Sequence, residues 1–93
     1  YFYTMCAQLK TLIDRTCPRY TAISDKEFCF ILTAADTNVA AMARTMESLR
    51  GFTEDCLNGA REKGIIYAAG AMDKGDVKAL PAYREAYVMG KSV

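Results

Sequence analysis

Lys26-Glu27-Phe28-Cys29-Phe30-Ile31-Leu32-Thr33 decides the fold. Charge flanks a run of apolar side chains that does not alternate with polar ones. That pattern suits a strand covered on both faces, as in a parallel sheet. Cys29, inside the run, is expected to be a buried thiol acting as a small hydrophobe. Farther along, Gly64-Ile65-Ile66-Tyr67-Ala68-Ala69-Gly70 reads as a second buried strand ending at a glycine. Parallel strands need a crossover between them. The intervening sequence supplies one, because Val39, Met42, Ala43, Met46 and Leu49 recur at helical spacing. Asp36 or Thr37 is available as its N-cap, and Gly51 as the residue just past its end. Residues 52–63 are the least decided segment and read as a turn of helix and a loop.

Working outward, Met5, Leu9, Leu12 and Ile13 mark a helix face near the start of the chain. Thr4 is its expected N-cap, and Lys10 and Asp14 form an i, i+4 pair on it. Cys17-Pro18 ends this helix, since a residue before proline is pushed out of the α region. Residues 19–25 and 71–78 read as connections. Pro81 opens a last helix, with Tyr83, Ala86, Tyr87 and Gly90 along one side. The expectation is an α/β fold with helices near 4–16, 38–50 and 81–91 and adjacent parallel strands near 27–33 and 64–69. A right-handed crossover through the middle helix should join the strands. Two parallel strands alone leave sheet edges bare. The chain therefore reads as one half of a doubly wound domain, completed by a missing N-terminal segment or by a homo-oligomer.

Composition narrows the function. Of 93 residues, 52% are hydrophobic and 25% charged, which is the balance of a globular domain. Twelve basic residues against eleven acidic ones give a net charge of +1, so general attraction to nucleic acid or to an anionic membrane is not expected. No apolar run approaches the roughly 20 residues of a membrane-spanning helix. The chain has no histidine, which excludes a Ser-His-Asp triad, a Cys-His pair and a His-based zinc site within it. Cys6, Cys17, Cys29 and Cys56 match neither CxxC redox spacing nor paired zinc knuckles. Reduced, structural thiols in a cytoplasmic protein, with no metal site, are expected.

Tyr1-Phe2-Tyr3-Thr4-Met5-Cys6-Ala7-Gln8-Leu9-Lys10-Thr11-Leu12-Ile13-Asp14-Arg15 resembles the segment after the third strand of flavodoxin-like NAD(P)H-dependent FMN reductases. Members of that family show Pro-x-Tyr, a short variable stretch, a small residue, and then x-Leu-Lys-x-x-x-Asp-Arg. Gly64 to Ala71, and Pro81-Ala82-Tyr83-Arg84-Glu85-Ala86-Tyr87 with Gly90 and Lys91, resemble the family's fifth strand and last helix. The likeness covers essentially the whole chain and corresponds to the C-terminal half of a family member. The family's first three strands, and its Ser/Thr- and Gly-rich phosphate-binding loop, have no counterpart in these residues.

The resemblance implies a flavodoxin-like doubly wound parallel sheet carrying FMN at the carboxyl ends of its strands. Tyr1, Phe2, Tyr3 and Thr4 would form one flavin-flanking loop, and Thr33, Ala34, Ala35 and Asp36 another. Electrons would pass from NAD(P)H to FMN and then to an acceptor, with no side-chain acid or base required. Read without the resemblance, residues 1–3 are an aromatic loop plugging the end of the core. Thr33 either caps the next turn or faces the flavin, and Asp36 is a helix cap or a cofactor ligand. Lys10, Asp14 and Arg15 read as a salt-bridge set, Met42 and Met46 as core, and Tyr67 as a packed ring. Lys74, Lys78 and Lys91 are too dispersed to make a phosphate or nucleic-acid patch. The alternative function is a non-catalytic α/β assembly or interaction module that binds no flavin.

Overall fold

Burial along β1 (Glu27–Ala34) has a period of two. Phe28, Phe30, Leu32 and Ala34 are covered, whereas Glu27, Cys29, Ile31 and Thr33 are exposed. The computed structural model, which describes residues 1–93, thus corrects the expectation of a strand covered on both faces. An apolar run shows that both sides of a strand can be buried. It does not show that a second layer is present to bury them. Cys29 is accordingly an exposed thiol.

β1 pairs with β2 (Arg61–Ala69) in a two-stranded sheet. The Arg61 N–H donates to the Lys26 carbonyl at 2.9 Å, and the Gly70 N–H to the Ala34 carbonyl at 2.9 Å. Both strands advance together between these points, so the pair is parallel, as expected. β2 starts at Arg61, before the glycine from which the second strand was expected to run. Its three charged residues are exposed, and Lys63 and Arg61 pair with Glu27 at 3.0 and 3.8 Å. These cross-strand charges replace the apolar signal that marks the rest of the strand.

The chain divides into two compact units, residues 1–28 with 43–63 and residues 29–42 with 64–93. The first contains α1 (Ala7–Arg15) and α2 (Ala43–Cys56). α1 begins after an extended Cys6, not after Thr4, and buries no residue. It ends at Arg15, and Pro18 sits in the first turn of a short 3-10 helix over Cys17–Ala22. Lys10 and Asp14 form their i, i+4 pair in the open. α2 carries buried Met46, Leu49 and Thr53 on one stripe, and the Thr53 hydroxyl donates to the Leu49 carbonyl. It runs through Gly51 to Cys56, so that glycine is interior, and the stretch after it divides into the last helical residues, a turn over 57–60 and the start of β2 at Arg61. Phe52 then meets Phe28 edge-on, with ring centroids 6.4 Å apart.

In the second unit, a 3-10 turn over Val39–Met42 follows β1. Ile66 and Ala68 of β2 and Ala82 of α3 (Pro81–Lys91) form a buried cluster. Val77, Leu80, Ala86 and Met89 pack against it. Small residues allow the close approach: a Cβ on Gly64 would stand 3.0 Å from the Met89 sulfur. Pro81 opens α3 as expected. Met42 in this unit and Met46 in the first are both buried, in keeping with their expected core role. No helix is long and apolar enough to cross a membrane.

Candidate functional site

The loops at the carboxyl ends of β1 and β2 meet in the second unit. The Gly70 N–H donates to both the Ala34 and Asp36 carbonyls at 2.9 Å, and the Ala71 N–H donates to Ala34 at 2.9 Å. The loop after β1 is thereby tied to the loop after β2 through backbone alone. Its side chains are small, since Ala34 and Ala35 carry only methyl groups. Thr33, Ala35 and Asp36 are exposed, and Ala34 is half-buried.

Asp36 has a structural partner. Its Oδ1 accepts the Asn38 N–H at 2.8 Å, and Asn38 Oδ1 accepts the Ala40 N–H at 3.0 Å. Asn38 therefore caps the following 3-10 turn, the place expected for Asp36 or Thr37, and Asp36 holds Asn38 in position. Short polar side chains that bond two residues onward do this routinely. The N–H groups of Ala35, Asp36 and Thr37 make no hydrogen bond within the protein. All three residues lie in the exposed stretch between β1 and the 3-10 turn, a small-residue lip.

Residues 1–4 belong to the first unit. They do not plug a core: Tyr1 is 89% exposed and Phe2 99%. Phe2 and Tyr3 have φ of 54° and 63°, a left-handed conformation that is costly for an aromatic residue. Arg44 lies over the Tyr3 ring at 5.8 Å from its centroid. A cation on an exposed ring contributes about 0.5–1 kcal/mol, less than the roughly 1–3 kcal/mol that each left-handed residue costs.

The sequence did not mark one further feature of the first unit, an apolar groove of about 370 Å³. Met5, Ile13, Tyr20 and Phe52 line it together with the thiols of Cys17 and Cys56. Its residues come from the segment before α1, from α1 and α2, and from the 3-10 helix between α1 and β1, and no sequence motif links them. Of the apolar face read from the sequence, only Met5 and Ile13 reach this groove, whereas Leu9 and Leu12 stay exposed outside it. No group of three or more Cys, Asp or Glu side chains is arranged to hold a metal ion.

Arg50 carries the most perturbed charge in the chain. Hydrogen bonds first to Glu62 and then to Glu47 raise its pKa further above the ordinary arginine value, so it stays cationic at any working pH. Its Nε is 3.0 Å from Glu62 Oε2, Nη2 is 3.2 Å from Glu62 Oε1, and Nη1 is 3.0 Å from Glu47. This fork ties α2 to β2 and has no catalytic partner. No family model, no curated protein and no solved structure matches this chain.

Proposed function

We propose that the chain is the C-terminal half of a flavodoxin-like, NAD(P)H-dependent FMN reductase. The observation that carries the reading is the lip at the carboxyl ends of the parallel strands. There residues 33–37 offer small side chains and three unused N–H donors beside the Gly70 loop. Open α/β sheets take their ligands at this end. The lip fits the edge of a flat isoalloxazine ring, whose reduced form needs N–H donors close to its polar atoms. Bound FMN supplies the hydride and electron chemistry. The chain's residues orient the ring, exclude water from one side of it and donate hydrogen bonds. A role for Tyr1, Phe2 and Tyr3 beside the ring rests on the family resemblance alone.

Nothing in these 93 residues supplies the family's phosphate-binding loop. A phosphate is normally held by several charge-assisted bonds, each contributing about 1.5–3 kcal/mol. Because about 1.4 kcal/mol is tenfold in affinity, the isolated chain should bind FMN weakly and oxidise little NAD(P)H. It should also fail to distinguish FMN from riboflavin. Amide NMR spectra during titration test this reading. Both flavins should shift the Ala35, Asp36 and Thr37 signals alike. Silence at those amides at every flavin concentration would overturn the proposal, as would tight binding of FMN alone.

The open side of β1 favours a second reading, a flavin-free assembly module, because Cys29 and Ile31 are exposed there. On that reading the same titration leaves the lip amides unmoved.

A further inference from the structure

Arg84 and Glu85 stand side by side on α3, both exposed, and neither has an ion-pair partner within the chain. They line a groove of about 590 Å³ together with Ile65, Ile66 and Val88. Ile65 and Ile66 follow one another on β2 and so point to opposite sides of the sheet. A groove that touches both runs along the strand's edge. No residue of β1 lines it, so this is the edge of β2 that faces away from its only partner strand. The Arg61 N–H points toward β1. Alternation from Arg61 turns the Gly64 and Ile66 N–H groups away from β1 and toward the groove; it ends at Gly70, just past β2, whose φ of 86° brings its N–H back to Ala34. An edge with free donors beside an apolar wall is a template for another strand.

We propose that this edge binds the same edge of a second copy of the chain. β2 would run antiparallel to its mate about a two-fold axis perpendicular to the sheet. The charges argue for a copy over a foreign strand. In a two-fold interface, residue i meets j while j meets i. Adjacent Arg84 and Glu85 are self-complementary under that operation, each Arg84 facing Glu85 of the second copy. Val88, 55% exposed, supplies apolar surface on the α3 side of the paired edges, and Ile65 supplies it on the opposite side. The net charge of +1 sets up little general repulsion between copies. The inference does not depend on flavin binding.

Sedimentation equilibrium tests it with charge reversals. The unmodified chain should dimerise. Arg84→Glu alone and Glu85→Arg alone should each weaken the dimer roughly tenfold or more, because like charges then meet twice across the axis. The double reversal should restore it, and an equimolar mixture of the two single variants should form a heterodimer. Circular dichroism of each variant establishes that it is folded. In the unmodified chain, amide exchange at Gly64 and Ile66 should slow as protein concentration rises, a readout that needs no variant. A monomer at every concentration would overturn the proposal, whether or not it captures an extended peptide. So would single variants that associate as tightly as the parent, a double variant as weak as the singles, or exchange at Gly64 and Ile66 that ignores concentration.

Discussion

Two glycines a few residues apart hold opposite positions. Gly59 has φ of +69° in the turn before β2, and a Cβ there would overlap the Asp25 carboxylate. The Asp25 side chain is exposed and can rotate aside, so the cost lies in holding a Cβ-bearing residue at a left-handed φ. Gly59→Ala should therefore lower the unfolding free energy by about 1 kcal/mol or more, from backbone strain. Gly51 lies inside α2 with nothing within 4 Å of a Cβ. Gly51→Ala should raise stability by about 0.5–1 kcal/mol through helix propensity alone. Urea denaturation followed by circular dichroism measures both, and equal signs for the two changes would show that one environment has been misread. Sequence alone offered Gly51 as a helix stop, since glycine often serves there. Packing of Met46, Leu49 and Thr53 on one stripe carried the helix past it.

At the scale of elements, what was legible followed the apolar pattern. β1, the last helix and the parallel pairing came from it directly, because burial dictates side-chain periodicity. The beginning of β2 did not, since Arg61, Glu62 and Lys63 are stabilised by ion pairs whose partners lie far away in sequence. Nor did the Cys17–Ala22 3-10 helix, which has too few residues to carry a period. The loop after β1 was legible as a candidate site from its place at a strand end. Its capping was not, because Asp36 and Asn38 exchange roles through bonds visible only in three dimensions.

The Arg50 fork joins helix to strand. It spans α2 and β2 through one planar guanidinium whose Nε and Nη2 both reach the Glu62 carboxylate. Arg50→Lys keeps the charge and loses the fork. The denaturation midpoint should fall, and salt at about 1 M should shrink the difference, since these groups are exposed and screened. A midpoint unchanged at low salt would mean that charge alone, without the bidentate geometry, holds helix and strand together.

For the whole molecule, the balance of covered and open surface is the deciding quantity. The chain exposes 6887 Å². The open area includes Ile31 at 57%, beside Leu32 at 7% on the other side of the same strand. These neighbours make a paired test of whether the domain is half of a larger one. In the 93-residue chain, Leu32→Ala should cost about 2–5 kcal/mol by removing buried methyl groups. Ile31→Thr keeps β-branching, removes apolar surface already in water and should stay within about 0.5 kcal/mol of the parent. Supplying a segment that completes the doubly wound sheet should change only the second result, because a second helical layer would bury Ile31 and make its hydroxyl replacement costly. If Ile31→Thr proves as damaging as Leu32→Ala in the 93-residue chain at every protein concentration, the open side is already covered within this chain. The case for a missing layer then fails. If its cost appears only at high concentration, a second copy is covering that side, and the sheet is completed by association without further chain.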